Sequence, residues 1–294
     1  MKTSNHRDAA PHPYVGVDWH VDDLQDQIES AVADHARDAS AAPHRIHAVI
    51  DGAMNEPLGR ELLVRSRVPA SDVRAVYDAT PLASADECGI FVWNLHHEDL
   101  APLLARCDGQ PMLSFIQSPL GVDDVALHLA SFTCGQTPDG LRLALRIADP
   151  IALHDLVLAL GAEAQDHLRA GFAAWHLIAR DGHLRTWSGR ATDSAISYRR
   201  STPWPMSDAA FVQLVHHAEA DEILCMNGVA NASPWYPGRS TELHERIQRL
   251  LELLDRHGIQ DAGIRRQMVL DAMRMQDDAT AIHEIREQIT RSMK

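Results

Sequence analysis

The sequence predicts an α+β (loosely α/β) fold: a mixed β-sheet domain with flanking helices, followed by a small C-terminal helical lobe. Three observations predict it. Between residues 21 and 190, short apolar runs alternate with stretches whose apolar residues recur at helical spacing. Beyond STPWPMS (201–207), where two prolines bracket Trp204, the period turns helical throughout. The 294 residues suffice for about two domains with real cores.

In chain order, residues 1–43 form a polar lead-in with Pro11 and Pro13, then a helix over 21–37 carrying Leu24, Ile28 and Val32. HRIHAVIDG (44–52) alternates, with Ile46, Ala48 and Ile50 on one face, and stops at Asp51-Gly52, a turn signal. A short helix over 57–65 and a strand over VRAVYDATP (73–81) follow. CGIFVWNL (88–95) is apolar on both sides, as in a strand covered on both faces. Next come a helix (97–107), the strand PMLSFIQS (111–118) and a helix over 122–132 striped by Val122, Val125, Leu129 and Phe132.

LRLALRIA (141–148) reads as one strand, with Leu141, Leu143, Leu145 and Ile147 opposite Arg142 and Arg146. Asp149-Pro150 opens a helix, because Asp accepts bonds from free amides and Pro lacks an amide there to leave unpaired. Gly161 is its stop. Residues 172–188 form a hairpin turning at Asp181-Gly182. The domain so defined spans 44–200. The helical lobe, 204–294, holds helices over 208–226, 240–257, 262–276 and 279–291. Leu243, Ile247, Leu250, Leu251 and Leu254 form a core stripe in the second of them.

Composition narrows the function. A net charge of −14 suits no general nucleic-acid binder, because phosphate binding needs a positive surface. No apolar run reaches the roughly 20 residues that span a bilayer, and the N-terminus lacks a signal-peptide core. A cytoplasmic protein without membrane contact is expected. Cys88, Cys107, Cys134 and Cys225 form no C-x-x-C pair and are expected to be reduced, buried and inert.

Catalytic spacing is sought in vain. There is no phosphate-binding glycine loop, no dinucleotide fingerprint and no nucleophile elbow. HEIRE (283–287) puts Glu287 where a zinc helix needs its second His. His96-His97-Glu98-Asp99 fits a polar helix start better than a metal site, since adjacent helical side chains diverge. His44 and His47 fall on opposite strand faces, His216-His217 on a helix surface, and Asp18, Asp22 and Asp23 lack calcium-loop spacing. Asp51 is a strand-end carboxylate or a turn former. Arg146 and Asp149 form a ligand clamp or a structural pair closing a strand-to-helix corner. His128 fits a hydrogen-bonded structural histidine. The expectation is no enzyme, no metal and no cofactor.

The order of the pieces resembles a known family. IHAVIDGA (46–53), VYDATPLA (76–83) leading into GIFVWNL (89–95), ALHLASF (126–132), LRLALRIADP (141–150) and WHLIARDGHLRTW (175–187) are similar to its successive motifs. ERIQRLLELLDRHGIQDAGIRRQMV (245–269) looks like its helical tail. This is the type VI secretion effector chaperone or adaptor family (Tap/TEC type), defined by a domain of unknown function. The resemblance implies a cytoplasmic, non-enzymatic adaptor that binds one toxic effector protein and helps load it onto the VgrG spike. It marks Asp51, Gly52, Pro81, His128, Arg146, Asp149 and Pro150 as motif residues of structural role. Three positions depart from the pattern: Ala130 and Ile151 stand where the family has Arg, and Ala148 replaces an aromatic residue. Trp204, Trp235 and Tyr236 are candidate partner contacts, as aromatics that anchor interfaces or lock lobes together. Two alternatives stand beside the adaptor. One is a His-rich metal-dependent hydrolase, set apart by metal content. The other is an immunity protein, which would neutralise a toxin without contacting the spike.

Overall fold

The computed structural model describes residues 16–38, 44–190, 203–226, 239–275 and 278–292. Contacts divide the chain into a larger unit, Trp19–His216, and a smaller one that joins Met1–Asp18 to His217–Lys294. The division falls inside helix α6 (Asp208–Met226), not in the proline-bracketed stretch at 201–207. Trp204 is the reason. It is 2 % exposed and packs within the larger unit's core together with Met206, so these two residues are part of that body.

The larger unit is an α+β fold around a six-stranded sheet of order β2-β3-β1-β4-β7-β8. Its strands are β1 (Arg45–Asp51), β2 (Val73–Ala75), β3 (Ile90–Asn94), β4 (Leu113–Ser118), β7 (Ala174–Ile178) and β8 (Leu184–Ser188). Every pairing in it is antiparallel. The expected mixed sheet is therefore corrected. Among the described residues, parallel pairing occurs only in a second, three-stranded sheet, where β5 (Cys134–Gln136) lies between β6 (Arg142–Ala144) and β9 (Trp204–Pro205). Periodicity identifies strands but says nothing of their direction.

Alternation in β1 separates two cores. Ala48 and Ile50 join Phe91, Trp93 and Phe115 beneath helices α1 (Leu24–Asp38), α2 (Glu56–Ser66) and α3 (His97–Cys107). Val49 joins Ile90, Val92, Ile116 and Trp175 on the other face, under α4 (Val122–Ala130), α5 (Ala152–Arg169) and the small sheet. Each fully buried Leu, Ile or Phe contributes about 1.5–3 kcal/mol.

Some expected elements are shorter. After Ala75 the chain winds into a 3-10 turn (Val76–Ala79), so 73–81 is a strand only at its start. Of 141–148 only Arg142–Ala144 is strand. Gly161 breaks α5 with φ 85° and ψ 178°, yet helix resumes beyond it and continues to Arg169. The hairpin forms as expected, with Gly182 at φ 77°. Of the thiols, Cys107 is buried and pushed up to about 12 by that burial, whereas Cys88 and Cys225 are exposed and Cys134 half-buried, which corrects the expectation of four buried ones.

The smaller unit packs Ile223, Leu224, Ile247, Leu250, Leu254, Val269 and Ile285 around α7 (Ser240–Arg256), α8 (Ala262–Met273) and α9 (Asp278–Ser292). Arg265, 2 % exposed, donates two bonds of 2.7 Å to the Glu219 carboxylate and further bonds to Asp255 and the Ile259 carbonyl. This fork ties α6, α7 and α8 together. Asp18 caps α7, accepting from the Thr241 amide (3.1 Å) and hydroxyl (2.6 Å).

Two buried histidines in the larger unit give it a pH dependence. His47 donates Nε2–H to the Leu120 carbonyl (3.0 Å) and His128 to that of Leu168 (2.9 Å). In each ring Nδ1 is buried without a hydrogen-bond partner. Burial lowers both to about 4, and a second N–H would find no acceptor. The unfolded chain then takes up protons at higher pH than the folded one. Stability should therefore fall as pH drops from about 6.5 towards 4, by roughly 2 kcal/mol per histidine at about pH 5. Histidine ring signals of His47 and His128 in NMR spectra should stay at their neutral positions between about pH 7.5 and 5. A midpoint above about pH 6 for either ring would contradict this account.

A candidate functional site at one end of the large sheet

Motif residues that lie up to 98 positions apart in sequence meet where β1 ends. The Asp51 carboxylate accepts from the Ala53 amide (3.0 Å) through one oxygen and from Arg146 Nη2 (2.9 Å) through the other. It is thus the N-cap of a 3-10 turn, Gly52–Met54, and one half of an ion pair. Arg146 Nη1 lies 3.6 Å from Asp149, and its Nη2 lies 3.3 Å from Met54 Sδ. Asp149 Oδ1 accepts from the amides of Ile151 (2.9 Å) and Ala152 (3.2 Å) and so caps α5 as expected. Arg146 and Asp149 thus lie within ion-pair distance, with Asp51 as a third member that spacing alone does not connect. This also explains why strand ends at Ala144: the chain turns away so that Arg146 reaches β1.

Charge and burial set the chemistry. Both carboxylates are nearly buried, while the Arg146 side chain is 48 % exposed. Burial raises Asp149 above the ordinary carboxylate range, opposed by Arg146 and the two amides. Tyr77 lies within electrostatic reach of the pair. Burial first, then the Asp51 charge, push its hydroxyl up to about 12, so it remains a donor.

Gly52, the first residue of that 3-10 turn, is also a point of close packing. A Cβ there would lie 2.2 Å from the Glu87 carbonyl, and one on Gly59 would meet the same oxygen at 2.2 Å. Glu87 follows Asp86, a non-glycine residue at φ 47° and ψ −123°. No sequence pattern announces that strain.

The remaining candidates lie elsewhere. Pro81 is exposed in the turn after the 3-10 segment, where Thr80 Oγ1 donates to the Tyr77 carbonyl. His128 is buried and hydrogen-bonded: it fills the space beside Gly171, where a Cβ would come within 2.4 Å of its ring, and meets Phe132 edge-on. Trp204 is corrected as a partner contact. It stacks on Phe132 (5.2 Å, 12°) and donates Nε1–H to the Ser131 carbonyl (2.8 Å). Trp235 and Tyr236 lie outside the described residues. Pro150 follows Asp149 in the capped corner, and Ala148 is fully buried there, where an aromatic would need new space. Ile151 and Ala130 are half-buried. The carboxylate of Asp99 accepts from the His96 amide (3.3 Å), a helix start. Among the described residues no group of three or more His, Cys, Asp or Glu could hold a metal ion, and no helix is long and apolar enough to cross a membrane.

Residues 46–167 match the family model of a domain of unknown function (DUF4123). That stretch contains Asp51, Tyr77, Arg146 and Asp149. No curated protein and no solved structure matches the chain.

If Arg146 neutralises two buried carboxylates, Arg146→Gln should destabilise the chain at neutral pH by about 1–3 kcal/mol, a melting-temperature drop of several degrees. Without the guanidinium the folded state binds protons more readily, so the deficit should shrink as pH falls towards about 5. Melting curves of both proteins at the two pH values check this, and an equal deficit at both would count against the ion pair. Asp149→Ala, which removes a cap, should cost about 0.5–2 kcal/mol.

Proposed function

We propose that this protein is a cytoplasmic, non-enzymatic adaptor, which binds a toxic effector and helps load it onto the VgrG spike of a type VI secretion apparatus. The observation that carries the reading is the ordered motif set from IHAVIDGA to LRLALRIADP, all of it inside the stretch that matches DUF4123. The use of its polar residues agrees with that role. Asp51 and Asp149 are engaged by backbone amides and by Arg146, an arrangement that builds a rigid scaffold. Two separately packed units also give an adaptor two bodies with which to meet two partners.

Such a protein must hold its client and later release it, which favours an interface of ordinary size with a few strong anchors. The test is co-expression of the full chain with a candidate effector and a VgrG spike protein from the same genome, followed by affinity capture on the chain. Both partners should be retained. Retention of neither overturns the adaptor reading. Neutralisation of the effector without retention of the spike would instead favour an immunity protein.

A further inference from the structure

The segment LRLALRIADP carries an open strand edge. In the β5–β6 ladder the Thr137 amide bonds the Leu141 carbonyl (3.0 Å), and the Leu145 amide bonds the Thr133 carbonyl (2.8 Å). The register between them pairs Gly135 with Leu143, Gln136 with Arg142 and Cys134 with Ala144. Antiparallel strands alternate between bonded and non-bonded pairs. Leu141, Leu143 and Leu145 thus turn their amides and carbonyls to β5, and Arg142 and Ala144 turn theirs outward. β6 is the last strand of its sheet, and both residues are exposed. Among the described residues nothing pairs with this edge. Leu141 beside it is 50 % exposed, and Arg142 makes no ion pair among the described residues.

We infer that β6 is a docking edge, to which a partner protein adds an extended segment carrying an acidic side chain opposite Arg142. Main-chain donors and acceptors supply the pairing, Leu141 offers an apolar contact, and Arg142 selects the charge. A second copy of the chain is a poor occupant. In an antiparallel self-pair the two Arg142 side chains would share one face as direct or diagonal neighbours. The inference deepens the adaptor reading and rests on it for the choice of partner.

Ala144→Pro removes an outward amide and leaves the Leu143–Gly135 pairing intact. In the co-expression capture, this variant should lose one partner by about tenfold or more and keep the other, with a melting temperature near that of the parent. Arg142→Glu should weaken the same partner. Hydrogen exchange on the unmodified chain should show the Arg142 and Ala144 amides protected only in that partner's complex, and this decides the matter if Ala144→Pro fails to fold. Full retention of both partners by Ala144→Pro, without protection at those amides, overturns the docking edge and leaves the adaptor role standing. If the unmodified chain retains neither partner, the adaptor role fails and a peptide decides the edge. The extended peptide Thr-Val-Glu-Val-Thr should then shift the Arg142 and Ala144 amide resonances, and its Lys-substituted form should not. Equal or absent shifts overturn the proposal. A dimer of the chain that Ala144→Pro dissolves would also overturn it, in favour of self-pairing.

Discussion

Strand β1 is buried on both faces, and the layering of the larger unit follows from that constraint. Ala48 and Ile50 point into one core and Val49 into the other. A strand so placed needs partners at both edges and cover above and below, because its backbone groups and both rows of side chains must leave water together. β3 and β4 take the edges, with Val49 opposite Val92 on one side and Ser114 on the other. Helices α1, α2 and α3 cover one face, while α4, α5 and the small sheet cover the other.

The end of β1 is where this scaffold becomes polar. Asp51 is 5 % exposed, where a polar group is costly to bury without hydrogen-bond partners. Arg146 is one such partner, from a loop 95 residues away. The same guanidinium faces Asp149, whose other oxygen caps α5. One cation therefore couples the central strand to the first turn of the longest helix in the matched region. The close contact of Gly52 and Gly59 with the Glu87 carbonyl fixes the neighbouring loop against the same corner. A substitution at any of these points would be felt at the others, since they share backbone as well as charge.

The open edge of β6 lies in the same segment, LRLALRIADP, and runs directly into the loop that Arg146 anchors. A short strand with a charged residue is how proteins protect an exposed edge from indiscriminate pairing. Here the charged residue also sets a preference for the proposed edge, because Arg142 favours an acidic side chain placed directly opposite it. The anchor at Arg146 and the edge at Arg142 thus divide the two arginines of one motif between architecture and recognition. That division fits an adaptor, which needs a stiff body and a selective surface.

Much of the fold was legible in the sequence. Alternation and helical spacing located β1, β3, β4, the hairpin and the helices, because burial imposes a period on any strand or helix that has one apolar face. Local chemistry was legible too: Asp149 caps its helix and Gly182 turns its hairpin, since both depend only on near neighbours. Direction, partners and range were decided by the tertiary structure. The sheet is antiparallel, Trp204 is buried against Phe132, and the unit boundary falls inside α6, none of which leaves a periodic trace. The site shows the same limit. Asp51 and Arg146 each stood out as residues, but their pairing is a contact across 95 positions, and the strain at Asp86 and the fork at Arg265 exist only once distant segments pack. A sequence records the preferences of each segment, and only packing decides which segments meet.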